Sequence, residues 1–188
     1  MTREEFIEVL DKNRYSYKIE GDKLVVTNED DVDLDSLKTI PSGVVFMNKG
    51  IVWLNSLKKL PPGVDFMNKG DVDLDSLETL PPGVEFRNEA NVNLYSLKTL
   101  PPGVVFRNGD DVNLDSLEKI PIGVEFRNGG NVDLNTLETL PPGVEFKNGG
   151  YVGLYKLVGG WFQDWSGNME GIDSKMLLNH MISKGLFI

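Results

Sequence analysis

Two short aspartate runs are the residues of this chain best suited to chemistry. Segments 31–35 and 71–75 both read Asp-x-Asp-x-Asp, which is how the ligands of a calcium-binding EF-hand loop begin. That loop also needs Gly at its sixth position and Glu at its twelfth. Here Ser stands at the sixth position of both runs, and Ser or Pro at the twelfth. The calcium-binding β-roll core, G-G-x-G-x-D, is not matched either, so we predict no metal site.

A carboxylate pair such as Asp73 and Asp75 also suits acid–base hydrolysis. That chemistry needs a pocket that raises the pKa of one carboxyl group, and alternate residues on an exposed strand offer none. The chain has no cysteine, and its one histidine is His180. A thiolate nucleophile, a zinc cluster and a Ser-His-Asp triad therefore lack their residues. We predict a protein that is not an enzyme and has no cofactor.

The aspartates belong to a 20-residue repeat. The string of residues 71–88, DVDLDSLETLPPGVEFRN, recurs with light variation from positions 31, 51, 91, 111 and 131. A partial copy begins at Tyr151, and half a copy lies at residues 24–28. A fixed period of this size predicts a solenoid, in which stacked repeats share one core.

Each repeat predicts two short strands and two turns. Val-x-Leu near its start and Val-x-Phe near its end have the alternation of strands. The prolines between them exclude a helix, and the following Gly and an Asn-x-Gly corner supply the turns. We predict a mainly β, single-domain β-solenoid of about six to seven coils.

Two polar columns repeat with the same period. We expect their side chains to satisfy turn amides and one another at the corners, rather than to bind a ligand. The columns are Asn28, Asn48, Asn68, Asn88, Asn108, Asn128 and Asn148, and Ser36, Ser56, Ser76, Ser96, Ser116 and Thr136.

Both ends of a stacked solenoid need a lid, because the end strands are unpaired. Residues 2–13 predict a short helix, with Thr2 and Glu5 as a capping box. This lid and the half-coil make up residues 1–30, and the repeats make up residues 31–157. Residues 158–188 are predicted to form a Trp-rich, helical C-terminal cap, with a helix over 174–184 after the N-cap Asp173.

The aromatic residues of the C-terminal cap have two interpretations. Trp161, Phe162 and Trp165 either cover the last coil or form a contact with a partner, including a homodimer contact through this cap. His180 lies on the predicted helix of the cap, as a surface or lid residue.

The charge is concentrated on one face, here called the acidic strip, formed by the outward residues of the first strand of each coil. It holds nine acids and no Lys or Arg, whereas the other faces mix both signs. Asp is rare in strands and like charges on neighbouring strands repel, so we expect the strip to be costly. Its members are Asp31, Asp33, Asp35, Ile51, Trp53, Asn55, Asp71, Asp73, Asp75, Asn91, Asn93, Tyr95, Asp111, Asn113, Asp115, Asn131, Asp133 and Asn135.

Three interpretations of the strip remain open. It solubilises the rod and blocks edge aggregation, it imitates DNA with one charge per ~3 Å, or it binds a basic protein surface. The aromatic residues favour the third, because aromatics anchor interfaces and flanking charges steer the partner. The predicted partner-binding residues are Asp33, Asp35, Trp53, Asp73, Asp75, Tyr95, Asp115, Asp133 and Tyr155.

Composition and charge limit the partners and the cellular compartments that we expect for the protein. The net charge of −10 disfavours direct binding to nucleic acid or to anionic lipid. No apolar run approaches the 18 or more residues of a membrane helix, and the acidic start lacks the apolar core of a signal peptide. We expect a soluble, cytoplasmic protein that binds no membrane.

The repeat resembles that of a known group. Residues 97–108, LKTLPPGVVFRN, look like the L-x-x-L-P-x-G-V-x-F-x-N-x-G repeats of small uncharacterised phage and prophage proteins. The resemblance covers essentially the whole chain and implies a viral protein in a bacterial cytoplasm. Short bacterial leucine-rich repeats share L-x-x-L-P, but Asn48 lies two residues after Phe46, which departs from their spacing and predicts a straighter solenoid.

These observations predict a non-enzymatic, protein-binding solenoid that presents its acidic strip to a basic surface of a host protein that handles nucleic acid. The phage resemblance implies a host-takeover or anti-defence inhibitor. The alternatives are a homo-oligomerising assembly module, built on the caps or on the patch Val45, Met47 and Met67, and the capture of a small signalling ligand at a cap or dimer interface.

Overall fold

The computed structural model describes residues 1–141, 144–158 and 172–173. It begins with helix α1, Arg3–Asn13, whose capping box is formed by Thr2 and Glu5 as predicted. Phe6 and Leu10 of α1 are buried against the first coil. The predicted N-terminal lid is therefore confirmed.

The core of the rod is formed by two sheets whose strands pair in parallel from coil to coil, and this confirms the predicted β-solenoid. Within the described residues one sheet has nine strands and is here called the Phe sheet. In spatial order its strands are β1 Tyr17–Glu20, β2 Lys23–Val26, β4 Val44–Phe46, β6 Asp65–Phe66, β8 Glu85–Phe86, β10 Val105–Phe106, β12 Glu125–Phe126, β14 Glu145–Phe146 and β16 Ile172–Asp173.

The other sheet, here called the Asp sheet, carries the acidic strip on its outer face. Its strands pair in parallel, and each residue lies opposite the residue 20 positions away, for example Val112 opposite Val132. The strands are β3 Val32–Asp33, β5 Val52–Trp53, β7 Val72–Asp73, β9 Val92–Asn93, β11 Val112–Asn113, β13 Val132–Asp133 and β15 Val152–Gly153.

Each coil has three corners, where the sequence predicted two. The missed corner is a turn at Asp75-Ser76, in which the Leu77 N–H donates to the Leu74 carbonyl (2.9 Å). The proline segment then forms a third side that is joined by isolated parallel bridges, such as Thr99 with Lys119. At the next corner Gly83 has φ 73°, a left-handed conformation that favours glycine.

The core consists of the predicted inward columns of Val, Leu and Phe. The phenylalanines from Phe46 to Phe146 stack face to face, with ring centroids 5.1–5.6 Å apart and planes within 2–10° of parallel. Each ring is fully buried. Because the coils are copies of one another, each side chain packs on its own kind above and below.

The buried Asn column bonds backbone carbonyls, not the turn amides that the sequence suggested. The two N–H groups of Asn88 Nδ2 donate to three carbonyls, so one N–H is shared: the acceptors are the carbonyls of Gly70 (3.2 Å), Ala90 (3.0 Å) and Asn91 (2.9 Å). The same triple donation recurs from Asn48 to Asn148. These side chains therefore tie each corner to the coil before it. The Ser column differs, because its members are half-buried or exposed.

The N-terminal end is closed by two devices besides α1. Strand β1 adds to β2 in antiparallel orientation, while the half-coil pairs in parallel as predicted, with Leu24 opposite Val44. At the end of the Asp sheet, the Tyr15 hydroxyl accepts from the Asp33 N–H (2.9 Å) and donates to its carbonyl (3.4 Å). Tyr15 thus satisfies a strand edge that has no neighbouring strand.

At the C-terminal end a small helix, α2, spans Tyr155–Val158. Strand β16 then pairs in antiparallel orientation with β14, with Asp173 opposite Glu145. The sequence did not predict this strand, in which Asp173 now lies. Trp161, Phe162, Trp165, His180 and the predicted helix 174–184 lie outside the described residues.

In the described part of the chain, no helix is long and apolar enough to cross a membrane.

Candidate functional site

The acidic strip lies on the outer face of the Asp sheet, as predicted, with most of its side chains half-buried by their neighbours along the rod. Asp31, Asp33 and Tyr95 are the more exposed members. Parallel in-register pairing brings the predicted binding residues into rows, with Asp33, Trp53 and Asp73 on successive strands.

Neutral residues separate the acids along every row of the strip, and this corrects the expected repulsion between neighbouring strands. Asp73 lies between Trp53 and Asn93, and Asp133 lies beside Asn113. The two other rows follow the same rule, so no acid has another acid at the same position in an adjacent coil. Like charges within a row are therefore at least two strand spacings apart, about 10 Å.

In the first row, carboxylates and amides bind the backbone of the next coil. Oδ1 of Asp31 accepts from the Ile51 N–H (2.8 Å), and Oδ1 of Asp71 accepts from the Asn91 N–H (2.9 Å). Oδ1 of Asn91 does the same for Asp111 (3.0 Å). Part of the acidic strip is thus structural, a role that the sequence analysis missed.

The other two rows hold ladders of side-chain bonds. Asn113 Nδ2 donates to Asn93 Oδ1, and Asn93 Nδ2 donates to Asp73 Oδ1. Asn135 Nδ2 donates to Asp115 Oδ1 at 2.9 Å. A carboxylate only accepts and an amide also donates, so alternation of the two keeps the ladder bonded without adding charge.

Three strip carboxyls keep part of the expected electrostatic cost. The pKa of Asp133 is raised to about 6, mainly by burial and to a smaller extent by the nearby charges of Asp115 and Asp111. Burial also raises the pKa of Asp73, as does Asp71, while Asn93 opposes the rise. The pKa of Asp75 is raised by burial and then by Asp73. Oδ1 of Asp75 and of Asp133 is buried and has no hydrogen-bond partner among the described residues.

We predict that Asp133→Asn stabilises the protein at pH 7. The folded-state pKa lies above the unfolded value, so the folded state binds more protons between about pH 4 and pH 6 and loses stability as pH rises through that window. The amide removes this loss, and we expect a gain of about 1 kcal/mol after discounting for solvent screening of a half-buried group. Urea unfolding at pH 4.5 and pH 7 measures the effect.

The control for this prediction is Glu29→Gln, because Glu29 is exposed and paired with Lys49. It removes one negative charge without removing a buried carboxyl. Equal stabilisation of both variants at pH 7 would assign the effect to net charge and contradict the prediction.

Aromatic side chains stand between the acidic coils. Tyr95 is 42% exposed, and Asp75 and Asp115 on either side of it add to the burial that raises its pKa. Trp53 is half-buried beside Asp73. Tyr155, 61% exposed, is the first residue of α2. The predicted aromatic positions thus continue along the strip to the C-terminal end of the coils.

The other faces neutralise their acids, whereas the strip does not. On the proline side Lys58 pairs with Glu78 (2.7 Å), and on the Phe sheet Arg107 pairs with Glu85 (2.6 Å). Among the described residues, no ion pair includes any of the nine strip acids. The strip is therefore a row of uncompensated negative charge.

Two other surface features, an apolar patch and a groove, are weaker candidates for a binding site than the acidic strip. In the patch Val45, Met47 and Met67, Val45 is only 5% exposed, so the apolar surface is reduced to the two methionines. An open groove of about 530 Å³ on the proline side is lined by Lys58, Glu78, Ser96, Lys98 and Ser116. Its two lysines are paired with glutamates.

Within residues 1–141, 144–158 and 172–173, no group of three or more His, Cys, Asp or Glu side chains is arranged to hold a metal ion. No family model, curated protein or solved structure matches the chain.

Proposed function

We propose that this chain is a non-enzymatic binding protein whose acidic strip docks on a basic surface of another protein. The observation that carries the proposal is the contrast between faces. Among the described residues the strip acids have no basic partner along six coils, whereas acids on the other faces are paired with Lys or Arg. An uncompensated charged face favours encounter with a surface of opposite charge.

The aromatic residues supply the anchors of the proposed interface. Tyr95 and Tyr155 are exposed, and Trp53 is half-buried. Tyr and Trp are the residues that most often carry binding energy at protein interfaces. The second and fourth coils of the strip carry no acid, which supports a protein partner over imitation of DNA, because a phosphate row is charged at every step.

The proposed partner is a host protein that handles nucleic acid, since such proteins present basic surfaces. Occupation of that surface by the strip blocks access of the nucleic acid. The resemblance to phage and prophage repeats supports a host-takeover or anti-defence role in a bacterial cytoplasm, by association alone.

The test is an affinity capture from bacterial lysate with three tagged baits. The first is the native chain. The strip variant carries Asn at Asp33, Asp73, Asp75, Asp115 and Asp133. The control variant carries Gln at Glu29, Glu78, Glu89, Glu118 and Glu138, whose side chains pair with lysines outside the strip. Both variants lose five negative charges.

We expect the native and control baits to capture the same basic protein, and the strip variant to lose it. Asn keeps the acceptor oxygen of Asp, so the side-chain ladders survive, and circular dichroism should show an unchanged fold. Raised salt should release the partner. Capture of the same protein by the strip variant at full strength would contradict the proposal.

A further inference from the structure

The Phe sheet ends at β1, which has one free edge. Strand β1 is the outermost strand and pairs only with β2 among the described residues. In an antiparallel ladder, opposed residues alternate between pairs that bond each other and pairs that do not. The Thr27 N–H donates to the Ser16 carbonyl (2.8 Å). Because Ser16 bonds Thr27, every second residue after it also directs its backbone groups to β2, namely Lys18 and Glu20. The backbone groups of Ile19 therefore point to the free edge.

This edge differs from the other strand edge at the N-terminal end. The edge of the Asp sheet is satisfied by Tyr15, whereas no side chain in the described part of the chain hydrogen-bonds the backbone of β1 in this way. Ile19, in the middle of β1, is 58% exposed. A free edge with an exposed apolar residue is a template for pairing with another strand.

The edge is held in a fixed position. The Arg3 guanidinium of α1 donates to the carbonyls of Asp22 (3.3 Å) and Lys23 (3.1 Å), next to the hairpin turn. Lys23 also pairs with Asp65 (3.1 Å) in the second coil. A strand that is already ordered loses little conformational freedom when it binds.

We propose that a second copy of this chain pairs with the free edge of β1 in antiparallel orientation, about a two-fold axis at Ile19. In this register Ile19 faces Ile19 of the second copy, and the two residues exchange both backbone hydrogen bonds. Lys18 then faces Glu20 of the second copy. The Lys-Ile-Glu order is therefore complementary to itself, as a two-fold interface requires.

The charged pair is already placed for this exchange. Lys18 and Glu20 lie on the same face of β1 and form an ion pair at 2.7 Å, with both side chains exposed. On association Lys18 of each copy exchanges its own Glu20 for Glu20 of the other copy. The strands are four residues long, so the interface is small, and small interfaces are weak and reversible.

Sedimentation velocity from micromolar to submillimolar concentration tests the proposal. We expect the native chain to show a reversible dimer. Ile19→Pro removes the outward N–H without removing a bond to β2, so we expect the dissociation constant to rise about tenfold or more. Circular dichroism at low concentration confirms that the variant is folded.

A charge exchange provides a second, independent test. Lys18→Glu places like charges opposite each other and should weaken the dimer. Adding Glu20→Lys restores opposite charges in the two-fold register and should restore the dimer. A native chain that stays monomeric throughout, or a dimer that is insensitive to both Ile19→Pro and Lys18→Glu, would overturn the proposal.

Discussion

Replacement of Phe86 by Ala is expected to lower the free energy of unfolding by about 3–5 kcal/mol. The ring is fully buried and stacks on Phe66 (5.6 Å) and Phe106 (5.3 Å). Its removal leaves a cavity in the middle of the rod and interrupts two aromatic contacts, each of which contributes about 0.5–1.5 kcal/mol beyond burial. The neighbouring coils cannot collapse onto the gap, because their spacing is fixed by the sheets.

The measurement is urea unfolding followed by circular dichroism, with Phe86→Leu as the control. Leu fills most of the volume, so we expect the control to lose clearly less stability than the Ala variant. A loss below about 1 kcal/mol for Phe86→Ala would be an ordinary surface effect and would contradict the stacked core described above.

Asn88→Asp is expected to destabilise the rod by about 3–5 kcal/mol at pH 7, although the two side chains have the same shape. Nδ2 of Asn88 donates to three carbonyls, and the side chain is 1% exposed. The substitution turns a carboxylate oxygen toward three carbonyl oxygens in a buried site. Desolvation and repulsion both raise the folded-state pKa of the introduced carboxyl.

The pH dependence distinguishes this effect from a simple loss of hydrogen bonds. Because the folded-state pKa is raised, the part of the destabilisation that comes from the charge is absent below the unfolded value of about 4 and grows as pH rises above it. Asn88→Ala loses the same three donations without adding charge, so its loss should change little with pH. If the Asp variant is as stable as the Ala variant at pH 7, the assignment of Nδ2 as a triple donor is wrong.

The inward half of this structure was predictable from the repeat. Each coil is a copy of the last, so the alternation of Val72 with Leu74 and of Val84 with Phe86 places the whole core. The spacing of Thr2 and Glu5 likewise predicted the start of α1. These features follow from local patterns that one coil already contains.

Contacts between coils were harder to predict. The separation of the acids by neutral residues can be read from the sequence, but its meaning depends on the register that sets Asn93 beside Asp73. The hydroxyl of Tyr15 reaches Asp33 across 18 residues, and β16 returns to β14 from beyond the repeats. The repeat pattern cannot predict the contacts made by Tyr15 and by β16, because each of them occurs once.

The most direct test of the proposed function is the affinity of a captured, purified partner for the native chain, the strip variant and the control variant, measured at low and at physiological salt. We predict that the strip variant binds about a hundredfold more weakly or worse, since five charges and their steering are lost. The control should stay close to the native affinity at both salt concentrations. Equal affinities for the strip variant and the native chain would show that the acidic strip is solubilising surface and not a binding site.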